Sequence, residues 1–158
     1  MTDALPEQIE TRRTCWAYSP GGHLSELIRA TIGIRFTNRF HVTFTTDRPS
    51  HFPNETHYML CHPRRRFART MVNALQALWV LCRERPQLIL STGADVAVPI
   101  LLLGRLMGAK VIFIETGGSI APSLSGRLIY PFAHLFIVQW PEQQLCYPKA
   151  ILAEAPLF

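Results

Sequence analysis

The sequence predicts an α/β fold with a doubly wound, mainly parallel, Rossmann-like sheet. Short apolar runs rich in β-branched residues alternate with segments of helical periodicity, which is the order of parallel strands joined by crossover helices. These runs are apolar at nearly every position, as strands covered by helices on both faces should be. The length of 158 residues suits one domain of this kind.

The first half of the chain supplies three predicted strands and two predicted helices. A strand over residues 14–19 ends at a pair of glycines, and helical spacing then predicts a helix over 24–34. Two further apolar, β-branched runs, 41–45 and 57–61, are the next strands. A long segment at 65–84 places apolar residues at helical spacing and is the second helix.

The second half repeats the alternation. Residues 88–91 form a predicted strand, 96–107 a helix and 111–115 the next strand. A short helix over 124–133 and a last strand over 135–138 complete the series.

The composition is apolar for a free protein. Hydrophobic residues make up 48% of the chain and charged residues 17%, and the mean hydropathy is +0.12. Some apolar surface should therefore face a partner or a lipid. The longest apolar runs, such as 96–103, are too short to cross a bilayer, and the polar N-terminus resembles neither a signal peptide nor an anchor. We expect no transmembrane helix and a location in the cytoplasm.

The net charge and the spacing of the cysteines and histidines indicate which kinds of ligand the protein binds. The 16 Lys and Arg against 11 Asp and Glu give a formal net charge of +5, which favours an anionic partner. Four scattered cysteines form no Cys-x-x-Cys pair, and we expect them to be buried, reduced thiols. We expect no metal or other cofactor, because four of the histidines lie on different predicted elements without a ligand spacing: His41, His51, His57 and His62.

Three of the predicted strands end in glycine corners, at residues 19–23, 91–95 and 116–119. In a doubly wound sheet these strands are neighbours, and their carboxyl ends open on the crevice where ligands bind. Glycine permits positive φ and a close approach to backbone N–H groups, while the N-terminus of the following helix favours an anion. The corners therefore predict a phosphate site, with simple tight turns as the alternative.

The first corner carries one titratable side chain, His23, and no nucleotide fingerprint. An imidazole at a helix N-terminus can take a proton from a hydroxyl nucleophile or, when charged, bind phosphate, and a capping or packing histidine is the alternative. The corner lacks the third glycine of Gly-x-Gly-x-x-Gly, and no Walker-A lysine follows it.

The predicted helix over 65–84 is basic and amphipathic. One side carries apolar residues, namely Phe67, Met71, Leu75, Leu78 and Cys82, and the other carries Arg66, Arg69, Asn73, Gln76 and Arg83. Such a helix is typical of one that lies on anionic lipid headgroups, and its candidate membrane residues are Arg64, Arg65, Arg66, Phe67, Arg69 and Trp79. The alternative is a crossover helix whose apolar stripe packs on the sheet. No RNA-recognition motif is present, so we expect no nucleic-acid partner.

Four segments resemble a known family: "SPGGHLSEL", "PQLILSTGADVAVPILLLGRLMGAKVIFIET", "SLSGRLIYPFAHLFIVQWPE" and "YPKAILAEAPLF". They are similar to the membrane-associating subunit of the two-subunit UDP-N-acetylglucosamine transferase of lipid-linked oligosaccharide synthesis, and to its bacterial counterparts in exopolysaccharide and capsule pathways. The first corner also resembles the glycine-rich loop of the lipid II-forming transferase of peptidoglycan synthesis. The resemblance implies the N-terminal, acceptor-side lobe of a split GT-B glycosyltransferase, whose donor-sugar site lies on a separate catalytic subunit.

The resemblance also implies roles for individual residues. His23 would be the catalytic base and Glu115 a weaker catalytic candidate. The acceptor's diphosphate would lie against Gly21, Gly22, Ser91, Thr92, Gly93, Thr116 and Gly117. The catalytic partner would be gripped by Gln139, Trp140, Pro141, Tyr147, Pro148, Leu157 and Phe158, with burial of Phe158 in its own domain as the alternative. Ser19-Pro20 stands where the family often has Gly-Ser before Gly-Gly-His, and the proline stiffens the approach to that loop.

The expected organisation follows from this likeness. Residues 1–13 would form a flexible arm, 14–140 the acceptor and membrane domain, and 141–158 the partner-binding tail. The chain would act as a peripheral protein on the cytoplasmic face of the inner membrane, inactive alone, in a heterodimer that moves a sugar from a UDP-sugar to a polyprenyl-diphosphate-linked glycan. The alternatives are a scaffold that only recruits the catalytic subunit and a stand-alone nucleotide-binding Rossmann protein.

Overall fold

A computed structural model describes residues 8–46, 50–155 and 157. Within them the strands are β1 (Gln8–Glu10), β2 (Thr14–Ala17), β3 (Ile34–Phe36), β4 (Arg39–Thr43), β5 (Thr56–Met59), β6 (Leu88–Ser91), β7 (Lys110–Ile114), β8 (Leu135–Val138) and β9 (Ile151–Leu152). The helices are α1 (Gly22–Ala30), α2 (Phe67–Glu84), α3 (Val98–Leu106), α4 (Leu124–Ile129) and α5 (Pro141–Cys146).

The main sheet has seven strands in the order β5-β4-β2-β6-β7-β8-β9, and every neighbouring pair is parallel. Within this sheet the chain begins at β2, builds outward through β4 and β5, then returns to the other side of β2 at β6. This reversal confirms the predicted doubly wound, Rossmann-like fold, and it makes β2, β6 and β7 neighbours.

Each face of the sheet is covered by helices. On one face Cys15 of β2 pairs in register with Phe40 and Ile89, and all three are fully buried in the larger core with residues of α2 and α3. Helix α3 approaches closely at Gly104, where an added Cβ would lie 2.2 Å from the Cδ1 atom of Ile89. A smaller core on the other face includes Trp16 and places α1 against the sheet.

The structure adds a two-stranded sheet that sequence patterns did not predict. Strand β1 pairs in parallel with β3 through Gln8↔Ile34 and Glu10↔Phe36. Both strands have only three residues and are largely exposed, so they lack the apolar run that marks a strand. Residues 8–10 belong to the segment expected to be a flexible arm, whereas residues 1–7 lie outside the described part of the chain.

The C-terminal segment extends the main sheet. Beyond the expected boundary at residue 140, α5 packs near β8, and β9 pairs with β8 through Ile137↔Ile151. Residues 141–152 are therefore part of the same layered structure as the strands before them, and the described tail residues that lie beyond β9 are 153–155 and 157.

The cysteines correct one expectation. Cys15 is fully buried, and burial raises the pKa of its thiol, but Cys82 and Cys146 are exposed and Cys61 is half-buried. In the part of the chain that the structure covers, no helix is both long enough and apolar enough to traverse a bilayer.

Candidate functional site

The N-terminal turn of α1 lies against the loops that follow β6 and β7. Thr92, after β6, donates a hydrogen bond from its hydroxyl to the carbonyl oxygen of His23 at 2.6 Å. After β7, the Thr116 hydroxyl and the Gly117 backbone nitrogen donate to Oε1 of Glu26 at 3.1 and 2.9 Å. The three corners predicted to meet at the crevice are thus in direct contact.

The glycines at this junction provide backbone geometry and space. Gly21, the N-cap of α1, has φ +107°, and no side chain caps the helix N-terminus. An added Cβ on Gly22 would meet nothing within 4 Å, so the first turn of the helix opens on free space. Gly93 also has φ +107°, and an added Cβ there would lie 3.6 Å from the His23 ring. Gly22 therefore suits close approach of a ligand to backbone N–H groups, whereas protein atoms already surround the Cβ position of Gly93.

Other residues predicted to bind the diphosphate use their side chains for hydrogen bonds within the protein. Ser91 is fully buried and its hydroxyl accepts from the Gly93 backbone nitrogen at 3.0 Å. The buried Thr92 hydroxyl is engaged with His23, and the Thr116 hydroxyl with Glu26. These side chains therefore shape the loops, and the Gly93 and Gly117 backbone nitrogens are bonded within the protein as well.

The side chain of His23 is partly buried and partly exposed to a cleft. Its side chain is 29% exposed, but its Nδ1 atom is buried, lacks a hydrogen-bond partner and lies 3.8 Å from Oε2 of Glu26. The cleft beside it has a volume of about 530 Å³ and is lined by Gly22, His23, Ser25, Glu26, Arg29, Thr116, Gly118 and Leu157. Glu26 and Arg29 are not among the site residues predicted from the sequence, although Glu26 lies three residues after His23 on a predicted helix.

Glu115 does not have the placement of a catalytic carboxylate. It is fully buried, and its Oε2 atom accepts from the Tyr147 hydroxyl at 3.0 Å and from the Ser123 backbone nitrogen at 3.3 Å. Burial and this carboxylate raise the pKa of Tyr147. An added Cβ on Gly126 would lie 1.9 Å from Oε2, so α4 also packs directly on it. Glu115 holds β7, α4 and Tyr147 together, which corrects the catalytic expectation.

Two of the expected partner-binding residues are also interior. Gln139 and Tyr147 are each only 2% exposed. The Gln139 amide donates to the Glu115 carbonyl oxygen at 2.8 Å and accepts from the Leu157 backbone nitrogen at 2.7 Å. Their side chains are therefore committed to their own domain, because the end of β8 folds against the loop after β7.

The other predicted partner residues reach the surface to different degrees. Pro141 and Pro148 are exposed, and Leu157 is half-buried. Trp140 is half-buried and donates from its indole nitrogen to the Gly117 carbonyl oxygen at 2.8 Å. Phe158 lies outside the described residues.

Gln143 is a residue that sequence analysis missed. It is fully buried and donates to the carbonyl oxygens of Thr116 and Ser119, both at 2.9 Å, while accepting from the Gln139 backbone nitrogen at 2.9 Å. These hydrogen bonds fix the conformation of the glycine loop after β7. No pattern in the sequence marks it, because its partners lie on a loop 24 and 27 positions away.

The apolar stripe of α2 faces away from the sheet. Phe67 is 81% exposed and Leu75 is 64% exposed, and the other large apolar side chains exposed along the helix are Met71, Val72, Leu78 and Trp79. The helix packs inward through Ala77, Val80, Leu81 and the fully buried Asn73. Packing of this stripe on the sheet, one of the two alternatives from the sequence, is therefore wrong.

Basic side chains adjoin this α2 surface, which we define as Phe67, Met71, Val72, Leu75, Leu78 and Trp79. Arg64, Arg65 and Arg66 are exposed immediately before the helix, and Arg69 is half-buried within it. Phe67 also shares a groove with Leu124 and Leu128 of α4, both of which are exposed.

Comparison with known proteins adds a family match. The family model described as "Oligosaccharide biosynthesis protein Alg14 like" matches residues 64–154. The human protein named UDP-N-acetylglucosamine transferase subunit ALG14 is 28% identical over 166 residues, which cover 83% of this chain and 76% of the relative.

Bacterial transferases share part of the sequence and the fold. The UDP-N-acetylglucosamine–N-acetylmuramyl-(pentapeptide) pyrophosphoryl-undecaprenol N-acetylglucosamine transferase of Clostridium kluyveri is 30% identical over 84 residues, 52% of this chain and 23% of that protein. The crystal structure of Acinetobacter baumannii MurG superposes with a TM-score of 0.64 at 15% identity, covering 96% of this chain and 44% of that chain. The chain thus corresponds to less than half of that structure, and the superposition shows a shared fold.

Proposed function

The chain belongs to the family of Alg14-like oligosaccharide biosynthesis proteins, and from this premise we propose that it is the acceptor-binding, membrane-associating subunit of a heteromeric, inverting glycosyltransferase. The enzyme moves a sugar from a UDP-sugar to a polyprenyl-diphosphate-linked glycan. The first donor to test is UDP-N-acetylglucosamine, because the human relative is named as a subunit of that transferase.

The meeting of three glycine loops at the N-terminus of α1 carries this proposal. Residues Gly21 and Gly22 leave the helix N-terminus without a side-chain cap, and Gly93 and Gly117 bring two more loops against it. Unpaired N–H groups and the positive end of the helix dipole favour an anion there. The backbone donors available to a phosphate are those in the first turn of α1, because the Gly93 and Gly117 nitrogens already donate to Ser91 and Glu26.

His23 is the proposed base at this site. The acceptor hydroxyl oxygen forms a bond to the anomeric carbon of the donor sugar while the bond from that carbon to the UDP oxygen breaks. The electron pair of the broken bond leaves on the β-phosphate of UDP, and the hydroxyl proton passes to the His23 ring. Attack from the face opposite to the leaving group inverts the anomeric carbon.

The donor side is proposed to come from a catalytic partner subunit. The human relative's name calls it a subunit, and a GT-B reaction takes place between two lobes of the kind that this chain forms once. We assign partner contact to Trp140 and to residues 141–158, with Pro141, Pro148, Leu157 and Phe158 as the candidates in that segment. Residues 14–140 would bind the acceptor and the membrane.

The α2 surface and the arginines before it are proposed to lie on the membrane. A broad exposed apolar stripe on a helix is costly in water unless something covers it. Arg64, Arg65 and Arg66 supply the charge that anionic headgroups attract. The acceptor's lipid would then be anchored in the same bilayer, on the cytoplasmic face of the inner membrane.

Reconstitution tests the function. The purified chain alone should transfer no sugar, and adding the partner should restore transfer from UDP-N-acetylglucosamine. In the assembled pair, His23→Ala should lower kcat about 100-fold or more. His134→Ala is the matched control, because His134 precedes β8 at the opposite end of the sheet. Unchanged activity of His23→Ala in an intact pair would favour a recruiting scaffold, and UDP-sugar binding by the chain alone would favour a nucleotide-binding protein.

A further inference from the structure

We propose that Glu26 is the positioning residue of His23. Its Oε2 atom accepts a hydrogen bond from the Nδ1–H group of the ring and so fixes the tautomer in which Nε2 is free to take a proton. This inference rests on the proposed role of His23 as the base.

Two unpaired atoms at one place carry the inference. Oε2 of Glu26 and Nδ1 of His23 are both buried and lack a hydrogen-bond partner, and they lie 3.8 Å apart, three residues apart on α1. A buried polar atom without a partner costs about 1–3 kcal/mol, so such atoms are uncommon in native proteins. A small rotation of the His23 side chain joins this donor and this acceptor and removes both penalties.

The rest of Glu26 is already fixed. The residue is only 6% exposed, and its Oε1 atom accepts from the Thr116 hydroxyl and the Gly117 backbone nitrogen. Anchoring of the loop after β7 therefore accounts for Oε1 alone. It leaves Oε2 without a hydrogen-bond partner in the described structure, 3.8 Å from Nδ1 of His23.

For Nε2 of His23 to act as a base, the ring proton must lie on Nδ1. A carboxylate only accepts hydrogen bonds, so it favours a proton on Nδ1 and repels a lone pair there. The neutral ring then has its acceptor lone pair on Nε2, which can take the proton of the acceptor hydroxyl. The resulting imidazolium is stabilised by the neighbouring carboxylate, which does not itself become protonated. Arg29 is the other charged group lining the cleft, and it donates to the Leu157 carbonyl oxygen at 2.9 Å.

The Glu26→Gln variant separates the two halves of the carboxylate. The amide oxygen can replace Oε1 and keep the hydrogen bonds from Thr116 and Gly117. The amide NH₂ then replaces Oε2 and donates to Nδ1, which moves the ring proton to Nε2. The matched control is Glu10→Gln, which removes the same charge before β2, at the opposite end of that strand from His23.

Long-range ¹H–¹⁵N spectra of the full-length, histidine-labelled chain at neutral to alkaline pH measure the tautomer directly. We expect Nδ1–H for His23 in the wild type and in Glu10→Gln, and Nε2–H in Glu26→Gln with an unchanged melting temperature. In the assembled enzyme, Glu26→Gln should lower kcat about 100-fold with little change in KM for the UDP-sugar.

The outcomes distinguish this inference from the proposed function. A wild-type His23 in the Nε2–H form, or a tautomer unaffected by Glu26→Gln, overturns the positioning role. The expected tautomers together with full activity of His23→Ala would keep the contact with Glu26 but overturn the role of His23 as a base.

Discussion

Oε1 of Glu26 lies 2.9 Å from the backbone nitrogen of Gly117, a residue 91 positions further along the chain. This contact ties the first crossover helix to the loop after β7, across the loop of the strand that lies between them. It is one of the hydrogen bonds that bring the three glycine corners into contact.

Alanine at Gly93 should impair both stability and activity. The residue has φ +107°, and an added Cβ would lie 3.2 Å from Ser125 Oγ and 3.6 Å from the His23 ring. We expect Gly93→Ala to cost about 1–3 kcal/mol of unfolding free energy and to lower transfer by the assembled pair. Gly108→Ala is the control, because Gly108 has φ +95° with nothing within 4 Å of the added Cβ. A comparable stability loss with intact activity in both variants would argue against a ligand at this junction.

Gly22→Ala should fold normally and still reduce activity. Gly22 lies in the first turn of α1, its φ is not positive, and an added Cβ would meet no protein atom within 4 Å. The added methyl group therefore occupies space that only a ligand would use. We expect a melting temperature close to that of the wild type and a raised KM for the lipid-linked acceptor, measured by radiolabelled sugar transfer. An unchanged KM would mean that the acceptor lies elsewhere.

Membrane binding should depend on the α2 surface. Replacing Phe67 and Leu75 by serine removes two of its exposed apolar side chains, and vesicle binding should weaken about tenfold or more. Cosedimentation with phosphatidylglycerol-containing vesicles measures this. The double variant Ile32→Ser with Leu106→Ser is the control, because these side chains are 78% and 79% exposed on other elements. Equal vesicle binding by the two double variants would assign the α2 surface to a protein partner.

Stability should fall on mild acidification because of His41. Its ring has no exposed surface, and it accepts or donates hydrogen bonds with Tyr18 and Glu55 at 3.1 and 2.7 Å. Burial lowers the pKa of His41 to about 4, although the Glu55 carboxylate opposes this shift. The charges of His57 and Arg39 add to the lowering.

The direction in which stability changes with pH follows from the lowered pKa of His41. Between the ordinary value of 6.5 and about 4, the unfolded chain binds a proton at this histidine that the folded chain does not, so stability falls as the pH falls. Urea unfolding should lose about 2 kcal/mol between about pH 6.5 and 5 in the wild type. His41→Gln should flatten this dependence and the exposed-site control His51→Gln should retain it. A slope unaffected by His41→Gln would contradict the assignment.

The sequence predicted the architecture best where an apolar run ends at a clear break. Strands β6 and β8 agree with their predicted bounds to the residue, because each is a run of apolar residues next to a clear break. The neighbouring positions of β2, β6 and β7 followed from the strand order of doubly wound sheets, and with them the meeting of the glycine corners. Strands β1 and β3 escaped prediction because their short, exposed segments are stabilised by pairing between distant residues.

The orientation of α2 and the contacts of individual side chains could not be predicted from the sequence. Helical spacing revealed an apolar stripe on α2, but the helix buries the less apolar face that contains Asn73 and Ala77. Periodicity cannot tell which of two faces meets the sheet when the exposed one is the more apolar. Likewise, the burial of Glu115 and Gln143 depends on loops that only the folded chain brings together.

The most direct test of the central claim is to locate a polyprenyl diphosphate on the protein. Titration of the ¹⁵N-labelled full chain with geranylgeranyl diphosphate should shift the backbone amide signals of Gly22, His23, Gly93 and Gly117. Geranylgeraniol, which lacks the diphosphate, should leave those signals in place. Shifts confined to other parts of the protein, or equal shifts with the alcohol, would contradict a diphosphate site at the glycine corners.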